Sequence, residues 1–343
     1  MLKWPTFNTP YPVQKNWHQQ LKKALNGHSG HPLRQYADYS EAGEALFRTV
    51  ITDDITTAIS QADEPNALIR QFLPTDAETK HHKGYHQDPV GDHDALAQQG
   101  IIHKYHGRVL LVASGSCAVN CRYCFRRHFP YQQQMASRNN WQAVVKYLSA
   151  HPEVHEIILS GGDPLTLGTQ TLTELTNQLS TLSHIKTMRI HSRMVTVLPD
   201  RIDGEFLDWL DSLHWQKVLV THINHADELT PAANNSLNQL QQHGVTLLNQ
   251  SVLLKGVNDH SDTLIKLSHK LFEQGVLPYY LHLFDRVQNA AHFDVDLPQA
   301  QSIYEQMRVQ LPGYLLPKLV REVSGQPAKT PIQTSQNTQD TEI

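Results

Sequence analysis

From Arg108 onward the chain alternates between short apolar runs and longer stretches whose apolar residues recur every three or four positions. The runs Arg108-Val-Leu-Leu-Val-Ala, Glu156-Ile-Ile-Leu-Ser, Thr187-Met-Arg-Ile-His and Lys217-Val-Leu-Val-Thr-His are short and apolar, which predicts buried strands. Residues 245–253 and 277–284 predict two more. The intervening stretches, 140–150, 172–182, 204–213, 231–243, 260–274 and 299–309, have helical spacing; Trp141, Val144, Val145 and Leu148 share one face. Six strand–helix units in series imply parallel strands joined by helical crossovers. Residues 315–323 offer one further strand.

The first hundred residues read differently. Residues 17–25 and 41–47 have helical apolar spacing, and 66–73 precede a stop at Pro74, with no strong strand. A polar, His- and Asp-rich connection follows over 75–94. The expected organisation is a mostly helical N-terminal cap (1–100), an α/β core (101–312), a C-terminal segment (313–332) and a disordered tail (333–343) rich in Gln, Thr, Asn and Asp. The absence of a Gly-x-Gly-x-x-Gly at the first helix disfavours a dinucleotide-binding doubly wound sheet, so an open (βα)6 barrel is expected.

The net charge of −4 is small, and its cations are interspersed with acids, which excludes a nucleic-acid footprint. The opening Met-Leu-Lys-Trp-Pro-Thr has no apolar core of a signal peptide, and no later segment is long and apolar enough for a membrane span. A soluble protein of the reducing cytoplasm is expected. Most of the 22 histidines stand in polar company and read as surface residues.

All three cysteines fall in Cys117-Ala-Val-Asn-Cys121-Arg-Tyr-Cys124. Clustering argues against three buried hydrophobes, and an odd number excludes a disulfide framework. Zinc usually takes four protein ligands, and His128 is the nearby candidate for the fourth. A 4Fe–4S cubane instead leaves one iron open when only three cysteines bind. Both metals stay open on spacing alone.

In barrels of parallel strands, active sites lie at the C-terminal strand ends. Unusual polar residues collect at each expected end: Arg126 and Arg127 after the cysteines, Ser160-Gly161-Gly162-Asp163, His191-Ser192-Arg193, His222 and Asn224, Asn249 and Gln250, Asp285 and Arg286. Glu322 and Lys329 follow the possible seventh strand. Each has a plainer reading: Asp163 as a helix cap, Asp285 beside Arg286 as a surface pair.

The CxxxCxxC spacing resembles the signature of the radical S-adenosylmethionine (SAM) enzymes. Over residues 95–332 several strings resemble the lysine 2,3-aminomutase family: Cys121-Arg-Tyr-Cys124-Phe-Arg126-Arg, Ser160-Gly-Gly-Asp-Pro-Leu, Ile190-His-Ser-Arg193, Asn249-Gln250-Ser-Val-Leu-Leu-Lys-Gly-Val-Asn-Asp259 and Pro327-Ala-Lys329-Thr-Pro331. His103-Lys-Tyr-His-Gly-Arg108 and the residues from Asn120 to Tyr131 bring it nearest the branch linked to β-lysylation of elongation factor P.

The resemblance implies a radical SAM partial barrel, a 4Fe–4S cluster on Cys117, Cys121 and Cys124, and pyridoxal phosphate held by Lys329 as a Schiff base. That lysine must offer a neutral amine, so neighbouring cations are expected. Gly161, Gly162 and Asp163 would hold SAM, with Gln250 also on a cofactor. Arg108 and Arg193 are candidates for the pyridoxal phosphate group. Arg126 would pair the substrate carboxylate, and Asp285 the ε-ammonium. Glu322 stands where the free-lysine enzymes have an Asp, a longer arm with the same charge. A deoxyadenosyl radical would take a hydrogen from C3 of lysine, and the amino group would move from C2 to C3, giving (R)-β-lysine. A reductase and a ligase for elongation factor P are the implied partners. No cysteine follows Cys124, so the zinc-dependent oligomer of the degradative enzymes is not expected, and a monomer or simple homodimer is. The alternatives are an aminomutase of another amino acid and a non-catalytic iron–sulfur or zinc protein.

Overall fold

The computed structural model describes residues 16–27, 31–136 and 141–333; the expected tail, past Gln333, lies outside them. Ten strands form a single sheet in sequence order: β1 (Leu96–Gln98), β2 (Ile101–Tyr105), β3 (Arg108–Ser114), β4 (Glu156–Gly161), β5 (Thr187–Ser192), β6 (Gln216–Thr221), β7 (Thr246–Val252), β8 (Leu277–His282), β9 (Lys318–Arg321) and β10 (Thr330–Pro331). Strands β3 to β9 are parallel, while β1 and β2 at one edge and β10 at the other are antiparallel. The order is linear from β1 to β10, so the barrel is open. This is the architecture expected from six strand–helix units, with β9 as the seventh parallel strand.

The helices are α1 (Trp17–Asn26), α2 (Glu41–Leu46), α3 (Asp53–Gln61), α4 (Pro65–Arg70), α5 (Tyr131–Gln134), α6 (Trp141–Ser149), α7 (Thr169–Leu179), α8 (Met194–Val197), α9 (Gly204–Ser212), α10 (Pro231–Gln242), α11 (Ser261–Glu273) and α12 (Leu297–Gln310). Caps decide where they start. Thr230 accepts from the Ala233 amide with Pro231 at the first position of α10, so residue 231 is the start as expected. Asp296 accepts from the Gln299 amide, and α12 opens two residues before its apolar spacing suggests. Helix α7 ends before Leu182, which is buried outside it.

Strand alternation builds the site. Along β7, Leu247, Asn249 and Ser251 turn into the packed core, while Leu248, Gln250 and Val252 line the barrel interior. The same period puts Arg108 and Leu110, Glu156, Ile158 and Ser160, Arg189 and His191, and Tyr280 and His282 on the inner face. The helix-side core is continuous with the N-terminal helices: Trp17, Leu21, Ile55 and Phe72 share one cluster with Val144, Leu159, Leu172 and Leu237.

The N-terminal region, expected to lack strong strands, ends in the three-residue β1, which starts at Leu96. This strand and β2 are edge additions to β3, too short and mixed to show a period. Helix α3, capped by the Thr52 side chain on the Ile55 amide, was also not expected.

A buried ion cluster ties the N-terminal segment to the cysteine loop. Glu78 accepts from Arg122 Nε at 2.9 Å and Nη2 at 2.6 Å, and from Arg127 Nη2 at 2.8 Å. All three side chains are fully buried. Removing one partner of such a cluster strands the others. Glu78→Ala is expected to cost about 3–5 kcal/mol in urea unfolding of the ligand-free protein. A loss within experimental error would show that the cluster does not anchor the loop.

Candidate active site

The three cysteines lie in the loop after β3, at the C-terminal edge of the sheet. This loop is held against the turn after β4 by backbone bonds: the Gly162 amide donates to Ser114 O at 2.7 Å, and the Asp163 amide to Ser116 O at 2.8 Å. A Cβ on Gly162 would stand 2.5 Å from Ser116 O. Gly161, at φ +111°, would put one 2.5 Å from Ser114 O. The glycines are thus required by the approach of the cysteine loop itself.

A cavity of about 650 Å³ opens at this end and takes in every expected site residue: the three cysteines, Gly161, Gly162, Asp163, Arg108, Arg193, Gln250, Arg126, Asp285, Glu322 and Lys329. Burial pushes the Cys124 thiol up to about 11 and that of Cys117 well above its ordinary value. Both are thiols in the metal-free protein, and a metal must displace their protons. Among the described residues no group of three His, Cys, Asp or Glu is arranged to hold a single metal ion. The His128 ring instead lies against Gln288 O at 3.3 Å, away from a fourth-ligand role. Three thiols facing a large cavity fit a bulkier centre with an open position.

Two expected ligands have other partners. The Asp163 carboxylate accepts from the Leu165 amide (3.0 Å), the Arg193 amide (2.8 Å) and the Ser192 hydroxyl (2.9 Å), so the turn is locked by the capping role that was its plainer reading. Arg193, expected as a phosphate anchor, has both terminal amino groups taken. Nη2 donates to Glu228 at 2.7 Å and Gln71 at 2.8 Å, and Nη1 to Cys121 Sγ at 3.0 Å and to the Tyr123 hydroxyl. It is corrected to a cysteine-side residue. Arg108 remains at the β3 start, its guanidinium 4.6 Å from the Tyr105 ring centre.

The other charges form an alternating row. Arg126 Nε donates to Asp92 Oδ2 at 2.7 Å, and Asp92 Oδ1 pairs with Lys104 at 2.6 Å. Lys104 donates to Glu322 Oε1 at 2.9 Å, and Lys329 to Glu322 Oε2 at 2.6 Å. Burial opposes the charge on Glu322, yet Lys329 and Lys104 hold its carboxyl well below the usual range. Asp92 and Lys104 were missed. Asp92 sits in the stretch taken as a polar connection, and only its partners, 34 and 12 positions along, reveal it.

Asp285 is the opposite case. Burial, with Glu322 nearby, pushes its carboxyl up to about 7 against the pull of Lys329 and Lys104. Three histidines complete the interior: His191, His222 and His282 each have a buried Nε2 with no hydrogen-bond partner among the described residues. Burial lowers all three below the ordinary range, His222 to about 4, so they are neutral at pH 7. Orphaned polar atoms of this kind point to a polar occupant.

Residues 111–267 match the Radical SAM superfamily. Over 291 residues the chain is 43% identical to an Escherichia coli (strain K12) protein named L-lysine 2,3-aminomutase, and the match covers 85% of each. A Haemophilus influenzae protein of the same name is 43% identical over 293 residues, 85% of this chain and 87% of that one. The chain belongs to the lysine 2,3-aminomutase family of radical SAM enzymes. A Clostridium subterminale L-lysine 2,3-aminomutase is 33% identical over 289 residues, 83% of this chain and 69% of that one. The chain is an isomerase of the radical SAM type, and its family implies a 4Fe–4S cluster, SAM and pyridoxal phosphate.

The raised Asp285 carboxyl makes stability depend on pH. The folded state binds this proton more tightly than the unfolded chain, so the stabilisation is complete below about pH 4 and lost as pH rises to about 7. Ligand-free Asp285→Asn is expected to gain on the native protein in urea unfolding between pH 5 and pH 8. A constant difference across that range would contradict the burial of a titrating acid.

Proposed function

We propose that the chain converts L-α-lysine to (R)-β-lysine, as a pyridoxal phosphate-dependent lysine 2,3-aminomutase that supplies the modification of elongation factor P. One observation carries this reading: Lys329 and the three cysteines face the same cavity, with Arg126, Asp285 and Glu322 also on its walls. When bound, the cluster and SAM supply the radical, and pyridoxal phosphate supplies the π system through which the amino group migrates.

The chain's own residues do the rest. Lys329 would hold the cofactor through its Nζ, which lies 5.7 Å from the Tyr280 ring centre, and Arg108 would bind its phosphate. The Gly161–Asp163 turn and Gln250 bound the SAM side. Arg126 is fixed by Asp92 at Nε, and Nη1 lies 3.3 Å from Ser160 Oγ, so its terminal nitrogens face the cavity for a substrate carboxylate. Asp285 and Glu322 receive the ε-ammonium. With Lys329 committed to the cofactor, Glu322 would lack one of its two cations, and a cationic substrate side chain would restore the balance. The tyrosine and histidine walls exclude water from a site where a radical must survive.

A cellular reductase delivers the electron, and a ligase attaches the β-lysine to elongation factor P. The work is cytoplasmic, by a monomer or simple homodimer. No helix among the described residues is long and apolar enough to cross a membrane.

Anaerobic incubation with lysine, SAM, pyridoxal phosphate and dithionite is expected to yield β-lysine. Unchanged lysine, with the cluster and both cofactors bound, would redirect the reading to another amino acid or a protein-bound substrate. Lys329→Ala is expected to lose the visible absorbance of protein-bound pyridoxal while keeping the iron. Retention of that band would remove Lys329 from its role. Arg126→Lys forfeits the forked contact, and a KM for lysine about tenfold higher or more is expected from steady-state kinetics; a native KM would place the carboxylate elsewhere.

A further inference from the structure

Arg193 is buried, only 6% exposed, and its guanidinium reaches the cysteine loop rather than the pyridoxal side of the cavity. Its position is over-determined. The amide is bound by Asp163, Nη2 by Glu228 and Gln71, and the plane lies over Phe72 at 5.0 Å. Nothing in that arrangement is needed to hold a substrate. What remains is Nη1, which donates to Cys121 Sγ at 3.0 Å. The Tyr123 hydroxyl accepts from Arg193 and from Asn224 Nδ2 (2.7 Å), and so helps hold the guanidinium beside that sulfur. One of the three cysteine sulfurs therefore has a cationic protein donor.

We propose that Arg193, held in place by Tyr123, is a positioning residue that sets the reduction potential of the cluster by hydrogen-bonding Cys121 Sγ. The inference rests on the family reading, which places a 4Fe–4S cluster on these cysteines. Reduction adds one electron, and part of that charge spreads onto the thiolate sulfurs. Donors and positive charge at Sγ stabilise the reduced state more than the oxidised one, and hydrogen bonds to sulfur are an established lever on such potentials. Glu228 tempers the effect. Its buried carboxylate balances the charge of Arg193, which lets a cation stay in the core while its N–H bond to sulfur is kept. The pair raises the midpoint toward the reach of a cellular reductant, with the increment limited by the counter-ion.

The test is an EPR-monitored redox titration of the anaerobically reconstituted, full-length protein without substrate, with iron and sulfide measured on the same samples. Tyr123→Phe keeps the ring packed on Phe293 (centroids 6.0 Å) and removes the hydroxyl that holds the Arg193 guanidinium at Cys121. Arg193→Lys keeps the charge and removes the guanidinium donor. Each is expected to hold a full cluster whose reduction equilibrium is roughly tenfold less favourable, a fall of about 59 mV for one electron. A native midpoint with full iron content in Tyr123→Phe overturns the proposal, even if Arg193→Lys fails to load a cluster. A native protein that assembles no 4Fe–4S cluster overturns the family reading and this proposal together. Native cluster and lowered midpoints without β-lysine formation would sustain the proposal while rejecting the substrate.

Discussion

Everything at this site depends on how closely the cysteine loop packs against the turn after β4. The Gly162 amide reaches Ser114 O at 2.7 Å, and a Cβ at either glycine would collide with that loop's backbone. The contact fixes where the three cysteines begin, while Asp163, by tying the turn to Ser192 and Arg193, extends the same constraint to β5. Arg193 then returns to Cys121. The strand ends are thus closed into a ring of contacts around the thiols.

Opposite this ring, charge replaces packing. Arg126, Asp92, Lys104, Glu322 and Lys329 alternate in sign along one wall, each within 3 Å of the next. Such a row is favourable inside a cavity because no charge is left without an opposite neighbour, and withdrawal of any one unbalances the next. Asp285, which feels Lys329 and Lys104 but makes no ion pair among the described residues, is the acid that burial brings into the physiological pH range. The neutral histidines add polarity without adding charge.

The barrel was legible because its parallel strands bury one face fully and read as short apolar runs, while the crossover helices keep a 3.6 period. The edge strands β1, β2 and β10 were not, since two to five residues cannot establish a period. The cysteines were legible because their chemistry is local, confined to eight residues. Arg193 was misread for the opposite reason. Its partners Gln71, Cys121 and Glu228 lie 35 to 122 positions away, and nothing near it in the chain separates a phosphate anchor from a thiol donor.

The sequence by itself determined the strand–helix order, the triple thiol, and the set of polar residues at the strand ends. These follow from periodicity and local spacing, which a linear chain carries explicitly. Only the tertiary structure decided which of those residues face one another. It turned Gln250 inward and Asn249 into the core, gave Asp163 to the backbone and Arg193 to Cys121, and brought Asp92 and Lys104 between Arg126 and Glu322. Pairing of this kind depends on distances between remote segments, and those are settled by the packing of the whole sheet.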